Sequence, residues 1–460
     1  MRSRPRLRIR TGIRVRWSAK VCGRCCARRA KERALPERGP AVKFTSSERL
    51  RPTCGLRRSR FLLERPDHFA GMRVALNLSM RAVICGAGAA GLTLACQLAR
   101  NGYQVLVIER GTRPRGGGFL VDLEAEGLAS AERLGLLPRL RTVGEQISAV
   151  RWVDRYGNRV AELSVLARRG SEGQPIKLLR ADLEKALLES LPREVEVSFG
   201  EDIVEVRTPP GHVEITLRSG RRINADLLVG ADGVHSHVRD LVFGDGSVWS
   251  RNLGYDAAAC VFEDPGLREL VQGRVTIVSA PRRQIELCRL RTGRIAANFV
   301  FDTAHLTNPG SPRERLQQVY GDLRGCVPRI LENTARASDL RYEQAVQIKM
   351  PTWHRGRVAL LGDACHAFAM VPGQGSSVAI AGAYCLGQEI AQSQSVKGAF
   401  AWYQDRLMGE IAHRRAAARR GVQWLVPSSE AKLALRNAFL KMAARRSLRR
   451  LMRPLLGAQP

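Results

Sequence analysis

The chain has 460 residues, 44% hydrophobic and 26% charged, the balance of a soluble globular protein large enough for two or more domains, not of a disordered or fibrous one. No run of eighteen apolar residues occurs, which argues against a helical membrane span. The formal charge of +32 sits at the ends: residues 1–79 carry a net +17 and residues 412–460 a net +11, so the middle is ordinary.

Residues 1–79 begin MRSRPRLRIR and hold neither helical nor strand periodicity for long, with no apolar signal-peptide core after the basic start. They read as a basic, disordered extension. Cys22, Cys25 and Cys26 with Cys54 and His68 make one knuckle, whereas structural zinc sites pair two at fixed spacing, so no metal is expected. The eleven cysteines are odd in number and irregularly spaced, which points to a reducing compartment and a cytoplasmic location.

Arg81 to Cys85 is a short apolar run suited to a buried parallel strand, and it ends at Gly86-Ala-Gly88-Ala-Ala-Gly91. Leu92, Ala95, Leu98 and Ala99 follow at helical spacing, Asn101-Gly102 ends that helix, and Gln104 to Ile108 is a second strand closed by Glu109. Strand, glycine turn, helix, strand and acid in this order form the dinucleotide fingerprint. Gly86 permits the tight turn, Gly88 the approach of backbone to a pyrophosphate, and Gly91 the close packing of helix on strand. Free N–H groups and the positive helix end then face the phosphates.

Further on, Ser148 to Val153, Arg274 to Val278, Gln284 to Cys288 and Ala296 to Phe301 have strand character. Asp226 to Gly230 is an apolar strand running into Asp232-Gly233, with Ser236 and Arg239 beyond it. Arg357 to Leu361 is another, ending in Gly362-Asp363, and Pro372-Gly373-Gln374-Gly375 leads into an apolar helix from Ser377 to Ile390. The adjacent Cys365 and His366 diverge and have no third ligand nearby, so no metal is expected there either. In the last segment Leu435, Phe439 and Met442 lie at helical spacing between arginines, an apolar stripe expected to pack on its own domain.

These motifs, in this order, resemble the single-component flavoprotein monooxygenases of the p-hydroxybenzoate hydroxylase-like group, nearest to the tetracycline-modifying and polyketide-tailoring members. The likeness runs from residue 80 to about 425 and includes Arg180-Ala-Asp-Leu183. The resemblance implies an α/β fold: a Rossmann-like FAD-binding domain from residues 80–145, 175–245 and 347–425, with an inserted β-sheet substrate domain from 146–174 and 246–346. A basic helical segment, 426–460, would follow. It implies FAD held by Gly86, Gly88, Ala90, Gly91, Glu109, Arg110, Arg180, Asp232, Gly233, Arg239, Gly362, Asp363, Pro372, Gly373, Gln374 and Gly375. Glu109 would hold the adenosine ribose, Asp363 the ribityl chain, and Pro372 to Gly375 would line the isoalloxazine. Arg113 and Arg115 are further candidates for phosphate or flavin contact, and Phe368, Met370 and Val371 for the substrate pocket.

The activity so implied is NAD(P)H- and O2-dependent hydroxylation of a small aromatic or polyketide-like molecule through a flavin hydroperoxide. The chemistry is flavin-borne, so no catalytic side chain is required. Two departures from the family pattern stand out, Ser377 in an Asn position and Gly382 in an Asp position. An FAD-dependent reductase of the same fold is one alternative. A basic nucleic-acid-binding protein is the other, but no recognisable module lies between the tails.

Overall fold

A computed structural model describes residues 80–114, 116–165, 174–304, 306, 310–368 and 374–445, apart from the side chains of residues 374, 419 and 420. The expectations for residues 1–79, including the cysteine knuckle, and those for Arg115, Met370, Val371, Pro372 and Gly373 therefore lie outside the described residues.

A six-stranded sheet forms the base, in the order His354–Arg355, Val358–Leu360, Leu227–Gly230, Arg81–Cys85, Gln104–Glu109, Glu196–Phe199. All pairings are parallel except that of the edge strand His354–Arg355. Its central strands are buried on both faces, which is why they read as unbroken apolar runs such as AVIC and LLV. The helices Ala89–Arg100 and Gln374–Gln392 pack on each other, and Val396–Leu425 packs on the second of them.

The second large sheet has seven strands in the order Arg341–Ile348, Ser250–Phe262, Ile295–Asp302, Arg283–Arg289, Arg274–Ala280, Ala149–Val153, Arg159–Ser164. The four strands expected from the sequence are all present. The sequence reading missed Ser250–Phe262, whose carboxyl-terminal part, YDAAACVF, is too rich in alanine to signal a strand. One face of this sheet packs Ala258, Cys260, Ile285, Leu287, Phe299 and Phe301 beneath helices Pro312–Tyr320 and Val327–Arg336. Its other face meets the two-stranded antiparallel sheet of Leu120–Leu123 and Ile176–Leu179.

One expectation is corrected by the structure. The C-terminal helix Glu430–Ala444 packs through Leu433, Arg436, Leu440 and Ala443, whereas Leu435 is 73% and Met442 40% exposed. Phe439 stacks edge-on against Trp424. The helix lies against the strand Arg159–Ser164, and that contact selects a face rotated from the stripe which periodicity picked out. Among the described residues no helix is long and apolar enough to cross a membrane.

Candidate cofactor site

The carboxyl ends of four neighbouring parallel strands carry the predicted residues. Gly86 follows Cys85, Glu109 ends its strand, Asp232 follows Gly230 by two positions, and Gly362-Asp363 follows Leu360. In a doubly wound sheet this edge is where ligands bind, because helix amino ends and turn N–H groups collect there.

Sterics fix the glycines. Gly86 has φ +110°, and a Cβ there would stand 2.4 Å from the carbonyl oxygen of Ala231. A Cβ on Gly91 would stand 1.9 Å from the carbonyl oxygen of Gly86, so only glycine lets the helix start this close to the turn. At Gly88 a Cβ would meet only the Glu184 carboxylate, at an ordinary contact distance of 3.7 Å, and among the described residues no side chain caps the helix it begins. Uncapped N–H groups at such a terminus suit a phosphate.

Two contiguous cavities open along this edge. One, of about 460 Å³, is lined by Gly86, Gly88, Glu109, Arg110, Arg113, Asp232 and others. The other, of about 200 Å³, is lined by Gly88, Ala90, Phe119, Ala257, Gly375 and Ala379 among others. Arg180, Gly233, Glu343 and Asp363 belong to both walls. Ala257 and Glu343 come from the seven-stranded sheet, so the second cavity lies where the two sheets meet.

Glu109 accepts hydrogen bonds from the Ala87 N–H at 2.9 Å and the Gly111 N–H at 2.8 Å, which hold its carboxylate at the glycine turn with lone pairs left for a ligand. Asp232 accepts from the Ser236 hydroxyl at 2.6 Å and from the Val238 N–H at 3.0 Å, and burial raises its pKa. Arg180 donates to Glu184 at 3.0 Å and lies 4.0 Å from Glu343; these carboxylates and Asp363 outweigh the burial that opposes its charge. Burial also raises Asp363, and Arg180 opposes that shift.

Some predicted residues stand behind the walls. Arg239 is 3% exposed and donates at 3.0 Å both to the Ala364 carbonyl and to the Val234 carbonyl. It braces the Asp232 loop against the Asp363 loop. Gly362, at φ +65°, packs against Ala90, and Phe368 is buried in the core. Gln374 opens the helix Gln374–Gln392. Ser377, in the departing position, donates to the Asp122 carbonyl and accepts from the Glu124 N–H, both at 2.9 Å.

The sequence reading missed Glu184, Ala257, Glu343 and Gln344. Glu184 had a signal, an acid four residues after Arg180 on one helix. Glu343 and Ala257 had none, since only tertiary folding brings the second sheet to this edge.

The chain matches the FAD binding domain family over residues 79–401. Uncharacterized protein Rv1260 of Mycobacterium tuberculosis is 31% identical over 351 residues, which cover 75% of this chain and 92% of that one. A flavin-dependent monooxygenase from an unknown prokaryotic organism is 27% identical over 339 residues, 73% of this chain and 87% of that one. The crystal structure of tetracycline destructase Tet(51) superimposes with a TM-score of 0.65 at 25% identity, covering 80% of this chain and 98% of that one.

Proposed function

Because this chain belongs to the FAD binding domain family of flavin-dependent monooxygenases, we propose that it hydroxylates a small aromatic or polyketide-like molecule with NAD(P)H and O2. The observation that carries this reading is the convergence of the Gly86, Asp232 and Asp363 loops on one continuous pair of cavities. The residues fit FAD. The uncapped helix start at Gly88 would take the pyrophosphate, Glu109 the adenosine ribose, and Asp363 the ribityl hydroxyls, with Gly375 beside the ring system. Bound there, FAD would supply the redox and oxygen-activating chemistry.

The chain's own residues orient and enclose. Arg180, held by Glu184, stands between the two cavities and would fix the middle of the cofactor. The amino end of the helix Gln374–Gln392 would favour negative charge gathering on the ring. The seven-stranded sheet closes over the second cavity through Ala257 and Glu343 and would keep water from the reacting atoms. Among the described residues there is one glycine fingerprint, so the nicotinamide is expected to dock transiently against the same domain.

Purified protein should be yellow, and a substrate should stimulate NAD(P)H oxidation with matching oxygen uptake and incorporation of labelled oxygen from O2. Asp363→Asn should weaken FAD retention by about tenfold, the loss of one charge-assisted hydrogen bond, with unchanged circular dichroism. Turnover without oxygen uptake would instead favour the reductase, and a folded protein that takes up no flavin would end the proposal.

A further inference from the structure

Cross-strand partners in a sheet point to the same face, so register carries the cavity wall further than the cavity itself. Glu343 pairs with Ala257, Ala257 with Val300, Val300 with Gln284, and Gln284 with Ser279. One row therefore crosses five strands, and its first two members line the second cavity. The next row on this face is satisfied: Asn298 bonds the backbone of Leu120, and Glu286 pairs with Lys177.

The Gln284 row is not satisfied in this way. Gln284 is 5% and Ser279 3% exposed, yet among the described residues Gln284 Oε1 and Ser279 Oγ have no hydrogen-bond partner. Two adjacent orphaned polar atoms on one face are a standing cost, because a buried acceptor without a donor loses its water and regains nothing. The backbone beneath is pinned: Tyr320 donates to the Gln284 carbonyl at 2.9 Å and to the Val300 carbonyl at 3.0 Å. The nearby cations are engaged elsewhere, Arg282 with Asp302 and Arg283 with Asp322.

We propose that Gln284 and Ser279 form the far subsite for the substrate, one that takes a neutral hydroxyl-bearing ring through a hydrogen bond to Gln284 Oε1. The inference rests on the monooxygenase reading and narrows its substrate class. Gln284 lies two strands from Ala257, about 10 Å at ordinary strand spacing, so the ligand spans two or more fused rings. An amide acceptor and a hydroxyl, with the neighbouring guanidinium groups already paired, select an uncharged phenol over a carboxylate.

Calorimetric titration with 1,8-dihydroxynaphthalene and with 1-hydroxy-2-naphthoate tests this on the full-length protein, without nicotinamide or turnover. The wild type should bind the diol at least tenfold more tightly than the carboxylate. Gln284→Met should weaken the diol about tenfold, and Ser279→Ala should weaken it less. Flavin absorbance should persist in both variants, and the melting temperature should hold or rise, since an apolar group replaces an orphan. Preference for the carboxylate, no binding of the diol, or unchanged diol affinity in Gln284→Met would each overturn the assignment. The last result together with a lower melting temperature would mark the glutamine as structural, bonded to a buried water only. Flavin absorbance in the same samples separates these outcomes from a failure of the FAD reading.

Discussion

His366 closes the short helix Asp363–His366, 1% exposed, with Trp353 tilted against its ring and, among the described residues, no hydrogen-bond partner for either ring nitrogen. Burial, and after it the charge of Arg415, push its pKa down to about 3, well below the ordinary histidine value. The folded protein thus keeps this ring neutral where the unfolded chain takes up a proton. The stability it allows is complete above about pH 6.5 and drains away as pH falls toward about 3. His366→Leu removes the group. The variant's melting temperature should therefore fall less steeply than the wild type's between about pH 6.5 and 4, and identical slopes would refute the assignment.

The two-stranded sheet of Leu120–Leu123 and Ile176–Leu179 joins the cofactor domain to the second large sheet through one buried cation. Lys177 lies 2.6 Å from Asp122 and 2.8 Å from Glu286. Burial opposes its charge, but the two carboxylates outweigh it and keep it protonated. Removing the cation leaves two partly buried carboxylates facing each other. Lys177→Met should cost about 3–5 kcal/mol, read from denaturant midpoints, and adding Asp122→Asn and Glu286→Gln should recover much of it. Recovery would show that stranded charge, not lost packing, set the cost. This element was invisible in the sequence, where Asp122, Lys177 and Glu286 stand far apart with no shared motif.

On the scale of the whole molecule, the family match and the first strand both begin near residue 80, while a net +17 precedes them. If the chemistry belongs to the folded middle, deleting residues 1–79 should leave a yellow protein with unchanged flavin content. A colourless but folded product would show that the basic segment helps to hold the cofactor. The two sheets define the remaining division of labour. The parallel one gathers glycine and acid loops at one edge, and the larger one brings Ala257 and Glu343 to that edge from outside the fingerprint.

By itself the sequence determined the glycine turn, the acids that close three strands and the parallel sheet they belong to. Those signals are local: a positive φ, an apolar run and the residue after it are all set within a few positions. Only the tertiary structure decided which of these residues reach the cavity. Arg239 became a brace between loops, Phe368 a core residue, and Leu435 a surface one, because burial depends on what packs opposite. The same holds for Glu343, Gln284 and Ser279, whose place follows from strand register between segments remote in the chain, a property no short window of sequence contains.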